Sequence, residues 1–92
     1  MIMSFRHKGL RRFFEHGEKQ GLRPDLVARL DRILTVLSLA RGPEDVAIPT
    51  FRLHPLKGDR EGQYSIHVND QYRICFRWQN GNASSVQIVD YH

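Results

Sequence analysis

The chain has 92 residues, 40% of them hydrophobic, so residues 1–92 suffice for one small domain with a single modest core. Fourteen lysines and arginines against ten acidic residues give a net charge of +4, which favours nucleic acid, an anionic membrane surface or an acidic protein as partner. A single cysteine, Cys75, excludes an internal disulfide and a cysteine-based zinc site, and no apolar run is long enough for a membrane span or a signal peptide. These features favour a cytoplasmic protein.

The N-terminal residues predict a short strand followed by a helix. The apolar stretch at residues 2–5 indicates the strand. Leu10, Phe13 and Phe14 recur at the spacing of one helix face, which predicts a helix over residues 7–16 that ends at Gly17. The cations on its other face are either a solvated surface or phosphate contacts; they are Lys8, Arg11 and Arg12.

A second helix is predicted over residues 25–40. Pro24 and Asp25 are typical of a helix start, and Gly42-Pro43 of a stop. The apolar positions between them recur at spacings of three and four and predict a core-facing stripe; they are Leu26, Leu30, Ile33, Leu34 and Leu37.

The second half predicts an antiparallel meander. Strands are expected at residues 51–53, 64–68, 72–78 and 85–89, with turns at Asn69-Asp70 and Asn80-Gly81. Helices early and a meander late predict an α+β domain.

The segment of residues 53–62 holds two titratable donors, His54 and Lys57. Pro55, Gly58 and Gly62 shape it, so we expect a defined loop rather than a strand interior. Because neighbouring antiparallel strands run in opposite directions, the sequence does not require this loop to meet Arg73 and the chain end. A curved, twisted sheet could bring them into one concave face.

These groups suit RNA cleavage by attack of the 2′-hydroxyl on the adjacent phosphate. Histidine can serve as base or acid near neutral pH, and arginine and lysine stabilise the charge on the phosphorane. Alternatives remain for the individual residues: Arg73 could pair with Asp70 or Asp90, and a C-terminal histidine is usually frayed. The other histidines are expected to be surface residues, and Cys75 has no evident activation; the histidines are His7, His16 and His67. No metal-binding motif is present in the sequence.

Several segments together resemble the HigB toxins, members of the RelE-like superfamily of bacterial toxin–antitoxin systems. The resemblance covers essentially the whole chain. It rests on the run from Leu53 to Gly62 (LHPLKGDREG), Ser65-Ile66, Tyr72-Arg73-Ile74, the terminal Asp90-Tyr91-His92 and the opening Ser-Phe-x-His-Lys-Gly-Leu.

The resemblance implies a small antiparallel sheet packed against two N-terminal helices. It also implies a ribosome-dependent endoribonuclease that enters the decoding site of the 70S ribosome and cuts the mRNA codon there, without a cofactor or metal. The implied partner is a HigA-type antitoxin with a helix-turn-helix domain. The positions that match the family's active site are His54, Lys57, Arg73, Asp90, Tyr91 and His92. Of these we favour His92 as an acid–base group assisted by His54, with Lys57 and Arg73 on the scissile phosphate.

Further contacts to RNA are predicted from basic and polar residues outside that set, namely Lys8, Arg11, Arg12, Arg60, Asn69 and Arg77. Some family members carry an arginine where this chain has Asn69 and a tryptophan where it has Tyr72, which could weaken phosphate binding and alter codon preference. Two other functions stay open: a toxin of the same superfamily that inhibits a protein such as gyrase, and a non-enzymatic RNA-binding module.

Overall fold

The computed structural model describes residues 1–91 and contains two helices and a four-stranded sheet. The elements are α1 (Lys8–His16), α2 (Val27–Leu39), β1 (His54–Pro55), β2 (Gln63–His67), β3 (Tyr72–Gln79) and β4 (Asn82–Asp90). The strands lie in the order β1-β2-β3-β4, each antiparallel to its neighbour. No helix within the described residues has the length and apolar character needed to cross a membrane.

Helix α1 is held at both ends by local hydrogen bonds. His7 is the N-cap, and its Nδ1 accepts a hydrogen bond from the backbone N–H of Leu10 at 3.0 Å. Gly17 ends the helix with a φ of 71°, as the sequence predicts, and its N–H donates to the carbonyl of Phe13. The expectation that His7 is an exposed helix residue is wrong, because the capping bond requires it to turn towards the helix end and become partly buried.

The family-like opening segment has a structural role. Ser4 Oγ accepts from the N–H of Ser85 at 2.8 Å, and Phe5 packs against Phe14 with ring centroids 5.8 Å apart. A Cβ added to Gly9 would lie 2.9 Å from Cε1 of His7, so a side chain at this position would clash with the imidazole that caps the helix. This segment therefore fixes α1 against the last strand.

Helix α2 carries the stripe that the sequence predicts. Its first turn is a 3₁₀ turn, Pro24–Leu26, which continues directly into the α-helix. The side chains of the stripe are buried and, with those of Leu10 and Phe13 from α1, cover the core side of the sheet; they are Leu26, Leu30, Ile33, Leu34 and Leu37.

The segment between α2 and the sheet differs from expectation. The strand predicted at residues 51–53 is wrong: Pro49–Phe51 form a 3₁₀ turn, and Arg52 has a φ of 47°. Pro49 starts the turn, which places Phe51 in the core, and the left-handed Arg52 then redirects the chain. The first strand is instead the pair His54–Pro55, inside the segment expected to be a defined loop rather than a strand interior.

The meander follows the predicted strands with two additions. The Asn80-Gly81 hairpin has φ angles of 53° and 78°, the left-handed pair that a tight two-residue turn requires. Strand β4 is longer than predicted at both ends and contains an irregularity at Ser85, whose φ is 52°. The predicted strand at residues 2–5 consists of two isolated parallel bridges to β4, Ile2 with Ala83 and Phe5 with Val86.

The histidine cap makes the stability of the fold depend on pH. Burial lowers the pKa of His7 below its ordinary value near 6.5. Below pH 6.5 His7 becomes protonated in the unfolded chain while it stays neutral in the folded chain. The contribution of the neutral His7 cap to the free energy of unfolding is therefore lost as pH falls through the folded pKa.

We expect His7→Ala to lower the free energy of unfolding by about 1 kcal/mol at pH 7.5. His7→Asn should retain the capping bond and unfold with a weaker pH dependence than wild type, measured by urea denaturation at pH 7.5 and 5.5. His16→Asn, at an exposed position of the same helix, is the matched control. An unchanged pH dependence in His7→Asn would contradict the assignment.

Candidate active site

The sheet has one face towards the helices and one open face. Residues directly opposite one another in paired strands share a face, and the register pairs His54 with Ser65, Ser65 with Cys75, and His67 with Arg73. Because Arg73 and Cys75 are two residues apart in β3, all five side chains lie on the open face. The register thus places groups from three strands next to one another.

A hollow of about 280 Å³ lies on this open face. Its lining combines three arginine or histidine side chains from the strands with residues from the flanking segments, and consists of Arg52, His54, Leu56, Ser65, His67, Arg73 and Tyr91. Three of the six predicted catalytic residues, His54, Arg73 and Tyr91, are therefore brought together.

The guanidinium of Arg73 is held from two sides. Its Nη1 donates to the carbonyl oxygens of Asn69 at 2.5 Å and Tyr72 at 3.0 Å. Its Cζ lies 5.4 Å from the ring centroid of Tyr91, a cation–π distance. The backbone N–H of Tyr91 donates to the carbonyl of Gln71 at 2.6 Å, which fixes the aromatic ring beside the hollow.

His67 lies on the open face of the sheet, as expected for a sheet-surface residue, and it also lines this hollow. Burial is the main cause that lowers its pKa, and Arg73, Arg52 and Arg29 lower it further, while Asp70 opposes them. The imidazole is therefore neutral at pH 7, which makes it a proton acceptor. Its alternation with the core residues of β2 indicated the face, but no local pattern indicated that arginines from three other segments would surround it.

The remaining predicted catalytic residues lie elsewhere or are not described. Lys57 follows β1 on the exposed loop and is not part of the lining. Asp90 ends β4 opposite Tyr72, and its Oδ2 accepts from Nε2 of Gln71 at 3.2 Å. His92 lies outside the described residues.

Cys75 lies fully buried on the open-face side of β3, beneath Arg60. Nη1 of Arg60 is 3.8 Å from the Cys75 sulfur. Burial raises the pKa of the thiol, although Arg60, Arg73 and a hydrogen bond from Tyr91 act against that rise. The thiol is therefore protonated at neutral pH, which suits a structural part of the floor better than a nucleophile.

The other predicted RNA contacts occupy three places. Arg77 lies on the open face one alternation beyond Cys75, and its Nη1 donates to the carbonyl of Glu61 at 3.5 Å. The side chain of Asn69 is used inside its own turn, where Oδ1 accepts from the N–H groups of Gln71 and Tyr72. Helix α1, which packs on the opposite side of the sheet, carries Lys8, Arg11 and Arg12.

A larger depression of about 480 Å³ lies between the two helices. Its charged members are Lys19 and Asp31, and it contains no histidine. Acid–base chemistry is therefore better served by the hollow on the open face. Nowhere in residues 1–91 are three histidine, cysteine, aspartate or glutamate side chains grouped to hold a metal ion.

Comparison with known proteins agrees with this architecture. Residues 3–92 match the family model of the RelE-like toxin of type II toxin–antitoxin system HigB. The chain is 41% identical over its full length to the Endoribonuclease HigB of Proteus vulgaris, covering all of that protein, and 36% identical over 85 residues to Toxin HigB-1 of Vibrio cholerae, covering 90% of each chain.

Solved structures share the fold at low sequence identity. A crystal structure of a YafQ variant from E. coli has a TM-score of 0.64 at 14% identity, covering 98% of this chain and 91% of the other. The solution structure of HP0894 from Helicobacter pylori has a TM-score of 0.56 at 12% identity, covering 98% and 92%. The fold is thus the predicted α+β arrangement, and the chain belongs to the HigB family of RelE-like toxins of type II toxin–antitoxin systems.

Proposed function

We propose that this toxin cuts mRNA in the decoding site of the ribosome, using the open-face hollow as its active site. The chain is an endoribonuclease, in keeping with its family and its full-length identity to the Proteus vulgaris enzyme. The observation that carries the proposed site is that His54 and Arg73, from separate strands, line one hollow beside Tyr91.

In the proposed reaction the 2′-hydroxyl attacks the neighbouring phosphorus while a base removes its proton. Arg73 binds the scissile phosphate and stabilises the phosphorane, assisted by Lys57 from the adjoining loop. His92, which follows Tyr91 in the sequence, acts as an acid–base group with His54 assisting. The P–O5′ bond breaks, leaving a 2′,3′-cyclic phosphate and a 5′-hydroxyl.

The ring of Tyr91 and the side-chain carboxylate of Asp90 have supporting roles in this proposal. Tyr91 can stack on a base or donate to phosphate from its place beside Arg73. Asp90 accepts a hydrogen bond from the side chain of Gln71 and, in this proposal, helps to orient Tyr91 and His92.

The shape of the site supports a substrate that is presented by a larger assembly. The hollow is open to solvent on one side and small, so it encloses little of an RNA strand. Orienting reactants can contribute roughly 7–11 kcal/mol to lowering a barrier, and the ribosome would supply the orientation that an open surface lacks. The net charge of +4 assists approach to this polyanionic assembly.

Membership of a type II toxin–antitoxin family implies an antitoxin partner. We propose that this partner is a HigA-type protein with a helix-turn-helix DNA-binding domain. The proposal places the toxin in the cytoplasm, where ribosomes and translated mRNA occur.

Arg73→Ala should reduce the single-turnover cleavage of ribosome-bound mRNA by about 10²–10³-fold, because a positioned cation is lost from the phosphate. The cleavage rate of Arg73→Lys should lie between those of wild type and Arg73→Ala, since lysine keeps the positive charge but lacks the planar guanidinium that can donate two parallel hydrogen bonds. Arg41→Ala, at an exposed residue away from the hollow, is the control for general loss of positive charge. Equal rates for Arg73→Ala and wild type would contradict the assignment of Arg73.

Cells should tolerate expression of His92→Ala or Lys57→Ala, and cleavage within translated codons should disappear, as measured by primer extension on cellular mRNA. His16→Ala should remain toxic, since that side chain is exposed on α1. Toxicity of the wild type with intact mRNA and a DNA-damage response would favour inhibition of gyrase instead. Salt-dependent RNA binding that survives His92→Ala, without any cleavage, would favour a binding module.

A further inference from the structure

His67 lines the hollow but is not one of the positions that match the family's active site. It is the last residue of β2, directly opposite Arg73 in the sheet, and it lines the hollow together with His54 and Tyr91. Its side chain is partly buried on the open face. His67 therefore lies beside the cation that we propose to bind the scissile phosphate.

Charged residues from four different segments surround His67. Arg73 lies opposite it on β3, and Arg52 lines the hollow from the segment before β1. Arg29 on α2 approaches from the sheet's end, and its Nη2 donates to the His67 carbonyl at 3.4 Å. The one carboxylate in this set is Asp70, in the following turn. Burial, and after it the three cations, lower the pKa of His67 against the opposing effect of Asp70, and this keeps the imidazole neutral at pH 7.

We propose that His67 is the general base that takes the proton from the attacking 2′-hydroxyl, while Arg73, its partner across the two strands, holds the adjacent phosphate. This inference rests on the proposed function and assigns a step that it leaves open. The proton passes from the 2′-oxygen to the imidazole, the new P–O2′ bond forms, and the P–O5′ bond breaks. The leaving 5′-oxygen is protonated by the acid group of the proposed reaction, His92 or His54.

The surroundings suit a base better than an acid. A neutral imidazole already has a free acceptor nitrogen, whereas an acid would have to carry a proton among three guanidinium groups. When RNA is bound, the negative phosphate offsets part of the positive charge around His67. Proton transfer to the imidazole is then favoured in the complex, where it is needed.

His67→Gln keeps the size and polarity of the side chain but removes its capacity to accept a proton. We expect cleavage of ribosome-bound mRNA at pH 7.5 to slow by about 10²-fold or more. In wild type the rate should fall as pH drops through a pKa below 6.5, because protonated His67 cannot act as base, and this acidic limb should be absent from His67→Gln. His16→Gln, the same change at an exposed histidine, should match wild type in both rate and pH profile.

His67→Ala allows a second test, chemical rescue by imidazole, which is not expected if His67 has only a structural role. Added imidazole should restore part of its cleavage rate, and the restored rate should follow the concentration of neutral imidazole. Circular dichroism of each variant checks that the fold is retained. Lack of rescue in a folded variant would overturn the assignment.

The outcomes also separate this inference from the proposed function. If wild type cleaves and His67→Gln cleaves within about threefold of it with the same pH profile, His67 is not the base, and the nuclease proposal stands. If wild type leaves ribosome-bound mRNA intact, the proposed function fails and the role of His67 fails with it.

Discussion

The alternation of side chains along β3 is the constraint on which the rest of the structure depends. Ile74 and Phe76 point into the core beneath the helices, while Arg73, Cys75 and Arg77 point to the open face. A shift of one residue in the pairing would exchange these two sets and put guanidinium groups among the leucines of α2. The burial of one face therefore specifies the position of each cation on the other, and hence the site.

The hollow shows how a small protein can hold a concentrated positive charge. The described hydrogen bonds of Arg73 to Asn69 and Tyr72 go to backbone carbonyl oxygens, which orient the guanidinium without cancelling its charge. The ring of Tyr91 covers one side of it with a π face. A carboxylate in the same place would orient the group equally well but would compete with phosphate. The arrangement therefore preserves binding capacity for an anion.

The sequence predicts the regular elements well because each has its own periodic signal. The stripe of α2 and the alternation in β2 and β3 come from local spacing, and the structure follows them. The prediction of a strand at residues 51–53 was wrong because Phe51 reaches the core from a 3₁₀ turn. Such a turn is too short to produce a recognisable periodic pattern of apolar residues. An apolar residue two positions after a proline is compatible with either a strand or a turn.

The site was only partly predictable for a related reason. The sequence pattern and the family resemblance both pointed to His54 and Arg73, and the structure brings these two residues and Tyr91 to one hollow. His67 was missed because its environment comes from residues far apart in the chain, which no local pattern reports. His7 was misjudged likewise, because its ring serves the helix end rather than the surface.

The contact between residues 2–5 and β4 has a consequence for the order in which the protein folds. Ser4 and Ser85 are 81 residues apart, and the bridges beside them join residues 2–5 to β4. Contacts of such long range are closed late, since the entropy of the intervening loop must be lost first. The anchoring of α1 by the opening segment therefore follows the formation of β4, so this side of the fold is completed late.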